Sequence, residues 1–213
     1  MNDLTMDQFA QEMKIFEGLC NKTINDLDNH INNTNDLQLK DKLIKRKKDF
    51  DKFVNYVVNE TNFINAPAST RFHLCIDHGL LIHSNSVAKT ILKLNQALNC
   101  EIPIYKCITT GLFHDLGKHN DYTKKEPTEK QKAAGFKATP PYEYNTSGIY
   151  DEHESESIFI ISKYMELDKD EFMAILYHNS PWDGVTKPIF RQNKLMTILQ
   201  NADYYSTLYL EER

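Results

Sequence analysis

The residues that could do chemistry in this sequence are histidines and carboxylates set at the ends or along the faces of apolar helical runs. His114 and Asp115 adjoin at the end of IYKCITTGLFHDLGK, behind an apolar face of Ile104, Ile108, Leu112 and Phe113, with Gly117 as the expected helix stop. His83 lies in GLLIHSNSVAKTILKL, among Leu, Ile, Val and Ala. His153 stands in the first turn of a helix announced by the capping-box pattern Asp151-x-x-Glu154. His178 closes a helix that opens with Asp168-x-x-Glu171, and Asp203 shares a helical face with Leu199, Ser206 and Leu210. Imidazole nitrogen and carboxylate oxygen together suit Zn, Mn or Fe. Taken singly, each residue also reads as a satisfied polar group in a helix interface, since a buried carboxylate must be paired, hydrogen-bonded or metal-bound. Five helical sites of this kind are harder to dismiss as coincidence.

The elements that must position these groups are helices. Met6, Phe9, Ala10, Met13, Phe16 and Cys20 recur at spacings of three and four, which predicts one apolar stripe. The polar stretch 28–36 (DNHINNTND) reads as a loop, and a second stripe follows through Leu43, Phe50, Phe53, Val54, Val57 and Val58. A base cluster at 40–48 lies within it, interleaved with Asp41, Asp49 and Asp51 as expected of a solvated helix face. Ala66-Pro67-Ala68 punctuates the chain and six of the eight histidines lie beyond position 75, so residues 1–66 are expected to form a helical appendage and 67–213 the working domain. Residues 117–150, rich in Gly, Pro and Lys, are expected to be a long loop or lid. Alternating β-branched runs and Asn-Gly or Asp-Gly turns are missing, so the expected class is all-α.

Composition narrows the function. The 213 residues are 40% hydrophobic and 26% charged, an ordinary globular mixture with enough chain to bury a large core. The net charge of -5 disfavours a general binder of phosphate backbones. No apolar run reaches the length of a membrane span, and the acidic start MNDLTMDQFAQEMK lacks the features of a secretory signal. The four cysteines form no C-x-x-C pair, which suits reduced thiols in a cytoplasmic protein.

The order His83 … His114-Asp115 … Asp203 resembles the H…HD…D signature of the HD-domain metal-dependent phosphohydrolase superfamily. APASTRFHLCIDHGLLIHSNSVAK resembles the start of the HD domain in bacterial 3′→5′ exoribonucleases and in small bacterial and phage HD hydrolases. GLFHDLGKHNDY, DEHESESIFIISKYM, ILYHNSPWDG and ILQNADYYS follow in the family's order, so the resemblance covers about residues 60–210. It implies a helical bundle around a centre of one or two divalent transition-metal ions (Mn, Fe, Co, Ni or Zn). His83, His114, Asp115 and Asp203 would hold the first ion; His153 and His178 match positions that bind a second, with Asp115 bridging. If only one ion binds, His153 and His178 would be hydrogen-bond donors to phosphate.

The family's HDxxK pattern places Lys118 by the site, where it can neutralise phosphoryl charge; a lysine complementing a helix C-terminus fits its position nearly as well. Arg71 and His73 are candidates to grip a substrate phosphate, and Trp182 and Asp183 to stack on and hydrogen-bond a base. The chain departs from related small hydrolases in carrying His78-Gly79 for Gly-Gly, Ile82 for Glu, and His153-Glu154-Ser155-Glu156-Ser157 for H-G-E-K-S. The ligand positions survive, and the change falls on the hydrogen bonding around them. His78 diverges from His83 on a helix and is read as structural. The function expected is hydrolysis of a small phosphate ester such as a nucleotide. The alternatives are a 3′→5′ exonuclease or cyclic-dinucleotide phosphodiesterase and, in another class, a non-catalytic nucleotide-binding protein; a purely structural helical domain ranks last.

Overall fold

Thr5 and Gln8 bond each other's backbone N–H in a reciprocal capping box, which starts helix α1 (Met6–Asn33). The structure is a computed structural model and describes residues 4–70, 73–145, 152–179 and 193–211. The first stripe runs deeper into the helix than its spacing suggested. Met6 and Ala10 are exposed, while Phe16, Leu19 and Leu27 are buried. The loop expected at 28–36 is likewise corrected, because α1 continues through Asn33 and reverses within Thr34–Asp36. Tertiary contacts hold that polar end helical despite its poor propensity. Lys47 Nζ donates to both oxygens of Asp28, and the Asp26 carboxylate accepts from the Tyr105 N–H at 2.9 Å.

Asp36 caps α2 (Leu37–Glu60) by accepting from the N–H groups of Gln38 and Leu39. Its apolar face and that of α1 meet α3 (Gly79–Ala97) and α4 (Ile104–Phe113) in one core. At its centre Phe113 is surrounded by Phe16, Phe50, Phe53 and Phe63, with ring centroids 4.8–6.4 Å away. The base cluster keeps Lys42, Lys45 and Lys48 exposed, as expected of a solvated face, while some of its charges are paired within the fold. Partly buried Arg46 pairs with Glu171 and donates to the Glu166 carbonyl, while Lys45 and Lys47 pair with Asp49 and Asp28.

The rest of the bundle is α6 (His153–Ser162), α7 (Lys169–Leu176) and α8 (Lys194–Tyr205), continued by a π-helical turn at Ser206–Leu210. Asp168 and Glu171 form the expected capping box of α7. The one expected for α6 is not formed: its N-cap is Glu152, no side chain caps it, and Glu154 instead accepts from Asn179 at 2.6 Å. Asp151 lies outside the described residues.

The stretch expected to be a long loop is, over its described part, a set of short elements. A 3-10 turn (Leu116–Asn120) leads to β1 (Tyr122–Lys124), α5 (Glu129–Ala133) and β2 (Tyr142–Tyr144). The two strands pair antiparallel, and Asp77 anchors them by accepting from Lys124 and Tyr142. Strands of three residues are too short to show alternation in a sequence. Eight α-helices and this one small sheet among the described residues make the protein all-α, as expected.

Candidate metal centre

Two glycines let the helices approach closely enough to build the site. A Cβ on Gly111 would stand 2.7 Å from Ala88 Cα, so α4 crosses α3 at a distance only glycine permits. That crossing brings the His83 and His114 rings to a centroid separation of 5.3 Å. A Cβ on Gly117 would lie 2.2 Å from the His153 carbonyl oxygen, and the Gly117 N–H donates to Ser157 Oγ at 2.8 Å. The first turn of α6 is thereby pinned against the chain just after Asp115. Gly117 does not stop α4, which ends at Phe113; it continues the 3-10 turn. In a 3-10 turn residues i and i+3 eclipse, and Lys118 Nζ accordingly lies 2.6 Å from Asp115 Oδ2.

His83, His114, Asp115 and His178 are buried at the heart of the bundle, with His153 and Asp203 at its partly exposed edge. Asp115 Oδ1 lies 3.1 Å from His153 Nε2 and 3.3 Å from His178 Nε2. Its other oxygen, Oδ2, lies 3.4 Å from His83 Nε2 and 3.6 Å from His114 Nε2, and His83 Nε2 is 3.2 Å from Asp203 Oδ1. Sequence reasoning named all six, and the fold brings all six together.

The Nδ1–H groups of His114 and His178 donate to the carbonyls of Gly111 (3.0 Å) and Ile175 (2.8 Å), leaving each Nε2 free to face the centre. Burial lowers the His114 pKa to about 3, so its ring is neutral near neutral pH. Burial opposes charge on His83 and His178 too, but the carboxylates around them outweigh it and raise both. Burial likewise disfavours ionised Asp115, and Lys118 with the neighbouring histidines more than reverses it, so the carboxylate stays charged.

Other expected site residues are placed differently. His73 lies behind His83, 3.8 Å from Glu211 Oε2, and burial lowers its pKa to about 4, so it offers a hydrogen bond and no charge near neutral pH. His78, read as structural, is the N-cap residue of α3, with its ring tilted against Phe9 and Nδ1 bonded to the Ile64 carbonyl. Arg71, Trp182 and Asp183 lie outside the described residues. Three neighbours escaped sequence reasoning. Glu154 and Asn179 follow His153 and His178 directly; Asn179 donates to Glu154 and lies 3.2 Å from His153 Nε2. Their dipeptide positions were the available signal. The third, Glu211, accepts from His83 Nδ1 at 3.0 Å and has no local signal.

The donor set fits a divalent metal. His83 Nε2, His114 Nε2 and Asp115 Oδ1 are buried and close to other polar atoms, but none makes a well-aligned hydrogen bond among the described residues. Unsatisfied polar atoms of this kind are costly in a dry interior. Two donors each about 2.1 Å from one ion stand roughly 3–3.5 Å apart, the range in which these atoms crowd. Among the described residues, four overlapping triads have donor atoms within 4.8 Å of one another: His83–His114–Asp203, His114–Asp115–His178, His153–Glu154–His178 and His73–His83–Glu211. No described helix is long and apolar enough to cross a membrane.

Comparison with known proteins agrees with this geometry. Residues 80–208, well over half of the chain, match the family model described as HD domain. No curated protein and no solved structure matched the chain. The matched span opens just before His83 and closes after Asp203, and so contains every residue of the convergent set. On that match and that donor arrangement, the chain belongs to the HD-domain family, whose members are generally metal-dependent hydrolases.

Proposed function

We propose that the protein hydrolyses a phosphate ester of a nucleotide or a related small molecule at a centre of two divalent transition-metal ions. The observation that carries this reading is the division of Asp115, whose Oδ1 faces His153 and His178 while its Oδ2 faces His83 and His114. One carboxylate serving two imidazole groups suits a ligand shared between ions. His83, His114 and Asp203 would hold one ion, His153 and His178 the other. Bound there, the ions would polarise a phosphoryl oxygen and activate a water near neutral pH.

The chain's own side chains orient and balance charge. Burial disfavours the Lys118 ammonium, but Asp115 and its neighbours outweigh that and keep it charged. At the edge of the centre it would offset the charge of an incoming phosphoryl group. A small substrate is favoured over a nucleic acid because the chain is acidic and Arg46, Lys45 and Lys47 are engaged in ion pairs.

The test is product analysis by mass spectrometry with Mn²⁺ and a pool of nucleoside mono-, di- and triphosphates, cyclic and linear dinucleotides and a short single-stranded RNA. Turnover confined to mononucleotides is expected. Stepwise shortening of the RNA would replace this reading with the exonuclease, and binding without turnover would replace it with the nucleotide-binding protein.

Two variants examine the parts separately. His153→Ala should reduce metal content, measured by inductively coupled plasma mass spectrometry, from two ions per chain to one while the circular dichroism spectrum is kept. One ion in both proteins would remove the second site. Lys118→Ala should lower kcat by about 10²-fold with metal content unchanged; a protein that has lost metal would contradict the role given to this lysine.

A further inference from the structure

His83 differs from the other central histidines in where it sits. His114 and His178 follow helix ends, where the last carbonyls have no intrahelical partner and can accept from Nδ1. His83 lies inside α3, whose carbonyls are engaged in the helix itself. Its Nδ1–H must find an acceptor elsewhere, or its ring orientation and tautomer are left unspecified.

The end of the described chain supplies one. α8 carries Asp203, which faces His83 Nε2 at 3.2 Å. The chain then widens into the π-helical turn at Ser206–Leu210, closed by the bond from the Glu211 N–H to the Ser206 carbonyl at 3.1 Å. This turn changes the face that residue 211 presents, and Glu211 is carried inward until it is 3% exposed. Its two oxygens stand 3.0 and 3.1 Å from His83 Nδ1. One segment thus reaches both ring nitrogens of His83, and the second contact lies beyond the residues that match the family.

We propose that Glu211 is the positioning residue of His83: by accepting the Nδ1–H it orients the ring and leaves the Nε2 lone pair directed at the metal. The inference rests on the metal centre of the proposed function and adds a residue to it. His73, whose ring centroid is 5.1 Å from that of His83, flanks the same carboxylate. A carboxylate partner on a metal-ligating imidazole fixes its tautomer and raises its basicity, and losing such a partner typically costs about 10–100-fold in metal affinity.

The test uses the full chain, with Zn²⁺ as probe. Competition titration of Glu211→Ala should show one zinc affinity lowered by about 10–100-fold, with any second ion bound as in the wild type. Glu211→Gln, whose amide oxygen still accepts from Nδ1, should recover most of that affinity. In zinc-loaded, ¹⁵N-histidine-labelled protein, the hydrogen-bonded Nδ1–H of His83 should be present in the wild type and in Glu211→Gln and lost in Glu211→Ala. Wild-type affinity in Glu211→Ala, or equal losses in both variants, would overturn the role. A wild type that takes up no zinc would overturn the metal centre itself. Neither readout depends on turnover, so failure to hydrolyse the substrate pool leaves this test standing.

Discussion

Asp115→Ala is expected to take turnover to the level of the blank and to deprive both ion positions of a ligand at once. The two oxygens of Asp115 divide between the two histidine groups, His153 with His178 and His83 with His114. A metal contributes several kcal/mol of transition-state charge stabilisation, so its loss costs about 10³-fold or more in rate. The variant also leaves the Lys118 ammonium without the carboxylate 2.6 Å away, so an unpaired positive charge would repel a cation there. Metal analysis and rate should therefore fall together. Retained turnover with Asp115 absent would place the chemistry elsewhere in the molecule.

Phe113→Ala should produce the largest loss of stability, about 3–5 kcal/mol, out of a total of roughly 5–15 kcal/mol for a domain. The ring is fully buried and touched by aromatic side chains from three directions: Phe16 of α1, Phe50 and Phe53 of α2, and Phe63 beyond it. A cavity there cannot be refilled by one flexible neighbour. Urea denaturation should show a lower midpoint in a single transition, and Phe53→Ala, which opens the same cluster from α2, should behave alike. A Phe53→Ala protein with the wild-type midpoint would mean that the first two helices fold apart from the bundle. The consequence for function is direct, because Phe113 is followed by His114 and Asp115. Loosening the core at that ring loosens the backbone that aims both.

The six central residues were legible because each sits on an element whose periodicity the sequence shows. A histidine inside GLLIHSNSVAKTILKL, or a His-Asp pair behind Ile108 and Leu112, stands out against an apolar stripe. The capping box of α7 was legible for the same reason, as it is written in four consecutive positions. The end of α1 was not. Its Asn and Asp residues favour a loop, and contacts such as the pair with Lys47 of α2 and the bond of Asp26 with Tyr105 keep it helical. The base cluster was legible in the main, since Lys42, Lys45 and Lys48 stay exposed on the expected solvated face; only Arg46 departs from it, drawn inward by Glu171, 125 positions away.

The sequence by itself determined the all-α class, the residue types able to take a divalent metal and their order along the helices. Those features depend on spacings of three and four residues, and such spacings are local physics. The tertiary structure alone decided how the two oxygens of Asp115 are shared, which carbonyl holds each imidazole, and that Glu211 reaches His83 across 128 positions. Directed contacts of that length depend on where helices cross, and here the crossings are set by close approaches at Gly111 and Gly117. A hydrogen bond is lost with a displacement of about 1 Å, so no local pattern can encode which partner a buried histidine will find.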